Sequence, residues 1–232
     1  MVGLSGPAGA QEEPDPCVEP DAYDGAIVGT AGNDVLFGTA GPDVIIGLDG
    51  RDKIFGLGGD DQIAGCLGDD VIFGGGGTDE VLGDDLSFFG NRDAVGGDDV
   101  IHGGPGDDGL LGGPGDDRII GGSGDDFLAL AVGDDIGVGG PGADTVIGGF
   151  GFDRVVGGTG DDVVAGGQDN DLVVGGPGDD FLAGDVPPPP DDVEPPPGAV
   201  NAGDADRCVG GSGNDSAVDC ERTAGVETVL DG

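Results

Sequence analysis

The sequence predicts an all-β fold, a parallel β-solenoid with 18 residues per coil. Three observations predict it. Glycine supplies 57 of the 232 residues, about one in four against a usual ~7%. Between Gly29 and Val218 the chain divides into eighteen nine-residue blocks, and every block carries Asp at its sixth place. Sixteen of these blocks carry a hydrophobic residue at the eighth place, the exceptions being Gly137 and Cys208. The glycine-rich first four places suit a tight turn, because only Gly takes positive φ without steric cost. The last three places read as a very short strand, whose alternation turns the central side chain inward and its neighbours outward. A turn and a strand, twice over, close one flattened coil. Strands about 4.8 Å apart and roughly ten coils give a rod on the order of 50 Å long.

The blocks follow in order. From Gly29 to Leu82 they run GTAGNDVLF, GTAGPDVII, GLDGRDKIF, GLGGDDQIA, GCLGDDVIF and GGGGTDEVL. Residues 83–93, GDDLSFFGNRD, have no Asp in register and are expected to form an irregular half-coil where metal ligation is doubtful. The register resumes at Ala94 and holds to Ala183. Within it, Leu130-Ala131-Val132 replaces the glycines of one turn and Gly137 takes a core place, which predicts a thin spot and a weak or missing ion. Residues 186–200 contain PPPPDDVEPPPG. Proline runs favour polyproline II and cannot join a ladder, so this is expected to be an exposed loop inserted into one coil. Two further blocks, NAGDADRCV and GGSGNDSAV, end at Val218. The resulting organisation is an N-terminal segment 1–28, a roll 29–185, an acidic proline-rich loop 186–200, and terminal repeats with a cap 201–232.

The pattern is GGxGxDxUx, with U a large apolar residue. It resembles the calcium-binding nonapeptide repeats of RTX proteins, a pattern given among known repeat signatures. The resemblance implies a parallel β-roll with U residues stacked inside and Ca²⁺ held between turns of adjacent coils by backbone carbonyls and the motif Asp. Carried onto this chain, the ligands are Asp34, Asp43, Asp52, Asp61, Asp70 and Asp79. Beyond the interruption they are Asp99, Asp108, Asp117, Asp126, Asp135, Asp144, Asp153, Asp162, Asp171 and Asp180, with Asp206 and Asp215 as weaker candidates. The chemistry agrees. Carboxylates beside turn carbonyls are hard oxygen donors, and Ca²⁺ takes six to eight of them in flexible geometry, whereas Mg²⁺ demands a tight octahedron. One His and four Cys at non-repeating positions disfavour transition metals. The second Asp at place five, as in Asp60, Asp69, Asp107, Asp116, Asp125, Asp161 and Asp179, reads as a solvated outer charge.

The net charge is −41, from 48 acidic and 7 basic residues. Seven cations cannot make the basic patch that nucleic-acid phosphates require, and no stretch has the roughly 20 apolar residues of a membrane span. His102 stands alone, and neither HExxH nor GxSxG occurs, so no catalytic constellation is visible. Phe37, Phe55 and Phe73 recur at 18-residue spacing. They are expected to stack as an outer apolar ladder and are a candidate surface for a protein or surface partner. The four cysteines allow three pairings. Chain order favours Cys17–Cys66 and Cys208–Cys220, locking both ends, with four free thiols as the alternative. Disulfides and millimolar calcium both point to a secreted or extracellular protein. Residues Ala8-Gly9-Ala10 offer a small-residue cleavage pattern without a basic n-region. The expectation is a secreted, non-enzymatic, calcium-binding repeat protein that folds on binding many ions. The rivals are a calcium-stabilised adhesin or cell-surface module, and an accessory repeat module of a secreted enzyme.

Overall fold

The computed structural model describes residues 17, 23–84, 96–185, 207–218, 220, 222–224 and 228–230. The loop at 186–200, Asp206 and most of the N-terminal segment lie outside them. Among the described residues all regular structure is β, in two parallel sheets. The odd sheet has 11 strands: β1 Ile27–Val28, β3 Val44–Asp49, β5 Gln62–Leu67, β7 Glu80–Leu82, β9 Gly109–Pro114, β11 Phe127–Val132, β13 Thr145–Phe150, β15 Val163–Gln168, β17 Phe181–Asp185, β19 Ser216–Val218 and β21 Thr228–Leu230. The even sheet has 10: β2 Val35–Phe37, β4 Lys53–Gly58, β6 Val71–Gly76, β8 Val100–Pro105, β10 Arg118–Ser123, β12 Ile136–Pro141, β14 Arg154–Thr159, β16 Leu172–Pro177, β18 Arg207–Ser212 and β20 Arg222–Ala224. Each strand pairs with the next but one, so the chain winds alternately between two faces. This is the expected β-roll. It starts two residues before the first full block, because Ile27 already pairs with Ile45.

The core is the place-eight stack. Ile45, Ile54, Ile63, Ile72, Val81, Ile101, Leu110, Ile119 and Leu128 lie in one continuous cluster that runs on through Val146, Val155, Val164, Val173 and Leu182 to Ala217. All are fully buried or nearly so, and each large aliphatic contributes about 1.5–3 kcal/mol relative to exposure. Gly137 does not leave the expected thin spot. Leu130, at place one of the preceding turn, is fully buried in the same cluster. A Cβ added to Gly137 would meet Leu130 Cδ1 at 2.9 Å and Val146 Cγ1 at 3.0 Å. The two departures from the repeat therefore compensate: one side chain is lost from place eight and one is gained at place one.

The half-coil expected at 83–93 is also replaced. β6 pairs directly with β8 and β7 with β9. The step from Asp70 to Asp99 is 29 residues where that from Asp52 to Asp70 is 18. The extra residues thus sit within a single turn, between β7 and β8. The proline-rich stretch behaves alike: Leu172 pairs with Arg207 and Phe181 with Ser216, with a 35-residue step from Asp180 to Asp215. Both excursions leave from odd-to-even turns and so from the same long edge of the rod.

The ends are tied. Cys17 is disulfide-bonded to Cys66, with Cα atoms 5.7 Å apart, and Cys208 to Cys220, at 5.9 Å. Cys17, Tyr23 and Ala26 pack on Ile46, Ala64 and Cys66, covering the outer face of the odd sheet at its N-terminal end. At the other end β20 and β21 continue both sheets beyond the last sequence block, with Arg207 opposite Arg222 and Ser216 opposite Thr228. The Phe37–Phe55–Phe73 ladder forms as expected, with ring centroids 5.0 and 5.2 Å apart, and His102 extends it at 5.2 Å from Phe73.

Candidate metal centre

The winding brings the place-six aspartates into two rows. Along the odd-to-even edge run Asp34, Asp52, Asp70, Asp99, Asp117, Asp135, Asp153 and Asp171. Along the other run Asp43, Asp61, Asp79, Asp108, Asp126, Asp144, Asp162, Asp180 and Asp215. In each row the Oδ1 of one Asp accepts the backbone N–H of the Asp one coil earlier: Asp52 N–H donates to Asp70 Oδ1 at 2.8 Å and Asp126 N–H to Asp144 Oδ1 at 2.8 Å. The contact survives both excursions, from Asp70 to Asp99 at 2.8 Å and from Asp180 to Asp215 at 3.1 Å. From Asp34 to Asp180 the backbone carbonyl of each row Asp is meanwhile spent in the sheet ladder, as in Val71 N–H to Asp52 O.

The second oxygen is left over. From Asp52 onward these side chains are 1–4% exposed, yet Oδ2 of Asp52, Asp61, Asp70, Asp79, Asp99, Asp108, Asp117, Asp126, Asp135, Asp144, Asp153, Asp162 and Asp180 has no hydrogen-bond partner. A buried carboxylate oxygen without a partner is costly, and a row of them repeats the cost at every coil. The carboxyl groups respond accordingly. Burial pushes Asp70, Asp117, Asp126 and Asp153 up to about 7, assisted by like charges in or beside the row. Burial likewise raises Asp135 to about 9 and Asp99 to about 10, the latter also crowded by Asp117, Asp84 and Asp70.

Two sets of backbone groups surround each carboxylate. Place-one glycine leaves the room it occupies: a Cβ on Gly121 would overlap Asp126 Oδ2 and lie 2.7 Å from Gly139 O. The turn carbonyls of places two and four point along the rod into the next coil, since a Cβ on Gly122 or Gly124 would overlap Gly104 O or Gly106 O. Both positions have positive φ, 129° and 131°, which glycine adopts without penalty. Among the described residues no three acidic, imidazole or thiol side chains converge on one point. An ion here would therefore take a minority of its ligands from carboxylates and the rest from carbonyls. That donor set, all hard oxygen with net negative charge in a loop geometry, fits Ca²⁺.

A model of the RTX calcium-binding nonapeptide repeat matches residues 28–63, 58–85, 93–128, 131–154, 147–182 and 202–217. The chain belongs to this RTX family. RTX nonapeptide repeats bind Ca²⁺, and calcium is the cofactor of this one. No curated protein matches the chain.

The RTX repeats here are not equivalent. Asp34 and Asp43 are only half buried, and their Oδ2 atoms are already engaged. Thr30 donates to Asp34 Oδ2 from its N–H at 2.6 Å and its hydroxyl at 2.8 Å, and the Thr39 N–H donates to Asp43 Oδ2 at 2.5 Å. Thr at place two turns these two aspartates into caps of their own turns. At the Leu130 turn, by contrast, Asp135 keeps the standard geometry, accepting the Asp117 N–H at 2.7 Å. Asp206 lies outside the described residues.

Asp84 was missed by sequence reasoning. It is 2% exposed, its Oδ2 accepts the Gly97 N–H at 2.9 Å, and its own N–H donates to Gly112 O at 3.0 Å. The signal was the register itself: Gly83-Asp84 continues directly from Leu82 as places one and two, and the excursion begins only afterwards. The place-five aspartates are exposed, as expected, except Asp69, which is half-buried and paired with Arg51. One oxygen caps the next coil, as in Asp116 N–H to Asp98 Oδ1 at 3.0 Å and Asp125 N–H to Asp107 Oδ1 at 2.8 Å.

Proposed function

We propose that this is an exported, non-enzymatic protein whose folding is driven by Ca²⁺ bound along the two rows from Asp52 to Asp215, with Asp206 completing the odd-to-even row. The observation that carries the reading is the run of buried Oδ2 atoms without partners, beside axially directed turn carbonyls. The Oδ2 atoms and turn carbonyls would hold a divalent cation, which would supply the missing partner and offset the charge of the row. Without it, row repulsion and a core one side chain wide per half-coil leave little to offset chain entropy. Binding free energy thus becomes folding free energy. Asp34 and Asp43, satisfied by Thr30 and Thr39, act as N-terminal caps. Export is supported by the two disulfides, which persist in oxidising compartments, and by the millimolar calcium such weak modular sites use. His102 serves the ladder rather than catalysis: it is stacked on Phe73, and partial burial, then Arg118, lower its pKa.

The test is a calcium titration of metal-stripped protein followed by circular dichroism and by ion counting. Strand content is expected to rise cooperatively with calcium. Equal strand content in chelator and in ~10 mM calcium would overturn the coupling.

A further inference from the structure

The two faces of the rod differ in charge. Of the seven basic residues in the chain, Lys53, Arg118, Arg154, Arg207 and Arg222 all occupy the first position of an even-sheet strand. No even-sheet strand contains Asp or Glu. The odd-sheet strands are the converse: none contains Lys or Arg, and Asp49, Glu80 and Asp185 fall within them. Lys53, Arg118, Arg154 and Arg207 are exposed. Among the described residues the ion pair is Arg51 with Asp69, at a turn, and these four cations have none. In a chain of net charge −41, cations without partners gathered on one face are not there to balance nearby acids.

The row has a period. Arg118 pairs with Ile136, Ile136 with Arg154, Arg154 with Leu172 and Leu172 with Arg207. From Arg118 to Arg207 cation and aliphatic alternate, so these three charges recur every two coils, about 9.6 Å, while Lys53 lies three coils before Arg118 and Arg222 one coil after Arg207. Beside them runs a half-exposed apolar row, His102, Ile120, Val138, Val156, Val174 and Val209. We propose that this face docks an extended acidic polypeptide lying along the rod axis, with carboxylates three residues apart and apolar side chains between. The fit is metric: three residues advance about 9.3 Å in polyproline II and about 10 Å in a strand.

Other polyanions fit less well. The rings of Phe37, Phe55, Phe73 and His102 lie within 12° of parallel to their neighbours. The rings between the ends of this stack cover one another's faces, and single-stranded nucleic acid needs a series of free ring faces for base stacking. A planar anionic membrane laid over the face would also meet the exposed place-five aspartates of both edges, within roughly a Debye length. A single chain on the row from Arg118 to Arg207 adjoins Asp116 and Asp134 of its own edge, then Phe152 and Asn170, and stays clear of the far edge.

The test is fluorescence anisotropy of a labelled synthetic peptide of repeating Glu-Pro-Val against the calcium-loaded full chain at low salt. Its comparator is an isomer of the same composition with the glutamates gathered at one end. The periodic peptide is expected to bind at least tenfold more tightly than the isomer. Its affinity should fall with added salt and at least tenfold in the double variant Arg154→Glu/Arg207→Glu, and stay unchanged in Arg51→Gln. Both arginines point outward without partners, so the calcium-dependent circular dichroism of the double variant serves as the folding control. No binding at low salt, equal binding of the two peptides, or indifference to the double variant overturns the proposal. Arginine-dependent binding of anionic vesicles or an acidic polysaccharide in place of the peptide also overturns it.

Discussion

At the scale of single residues, the nine-residue motif assigns roles that the surroundings then adjust. The sixth-place Asp was legible because it recurs; what its carboxylate does was not, because that depends on place two. Where glycine, Leu or Cys stands there, Oδ2 is left for a cation; where Thr30 or Thr39 stands, N–H and hydroxyl donors occupy it. Asp126→Asn is therefore expected to lower the number of bound ions and raise the calcium midpoint of folding, whereas Asp34→Asn leaves the ion count unchanged; mass spectrometry under native conditions distinguishes them. The Leu130–Gly137 exchange was illegible for a similar reason, since compensation between places one and eight is a contact in space and not a pattern in sequence. Leu130→Ala empties a fully buried position and should cost about 2–5 kcal/mol. Gly137→Val alone should also destabilise the calcium form, because its side chain meets Leu130 and Val146. The double variant Leu130→Gly/Gly137→Val restores the repeat and is expected to recover most of the loss in a denaturant titration with calcium. Additive losses would show that the two sites do not compensate.

At the scale of strands and turns, the nine-residue register located the regular strands from β2 to β19, because turn and strand alternate without slack. It failed where the register is carried by fewer residues. The excursion after Asp84 looked like a half-coil because AVGGDDVIH imitates a full block, although Gly83 and Asp84 supply its first two places. β20 and β21 were invisible because RTA and TVL follow shortened steps without the Gly-rich turn. β20 and β21 are three residues each, and the Cys208–Cys220 disulfide ties the coil they follow as Cys17–Cys66 ties an early coil. Closing a loop of separation 49 and one of separation 12 corresponds to about 4 and about 3 kcal/mol of chain entropy. Replacing Cys17 and Cys66 by serine should thus destabilise the calcium form more than replacing Cys208 and Cys220. Amide hydrogen exchange should show each loss confined first to the adjoining coils; uniform loss along the rod would contradict end-locking.

At the scale of the whole molecule, calcium and protons compete for the same rows, with opposite consequences for the two states. In the metal-free fold a set of buried row carboxyls titrates above its ordinary value of 3.8, with Asp162 and Asp108 near 6, Asp70, Asp117, Asp126 and Asp153 near 7, Asp135 near 9 and Asp99 near 10. The cause is burial first, then neighbouring charge. Between about pH 4 and those values the folded chain holds more protons than the unfolded one. Metal-free stability is therefore greatest below about pH 4 and declines as pH rises through 6, 7 and beyond. Calcium reverses the dependence, because it needs the same oxygens deprotonated: its folding midpoint should move to higher concentration as pH falls from 8 to 5. Circular dichroism of stripped protein from pH 3 to 9, repeated across a calcium series, reads both trends. A metal-free chain that gains strand structure as pH rises, or a calcium midpoint indifferent to pH, would mean that the buried carboxylates are not what couples the ion to the fold. The first excursion should not alter the trends, since the Asp-to-Asp contact at its own turn, Asp70 to Asp99, is kept at 2.8 Å, and across the second the opposite edge keeps Asp180 to Asp215 at 3.1 Å. A variant with 85–95 shortened should titrate with the full-length midpoint, because both rows run unbroken past it.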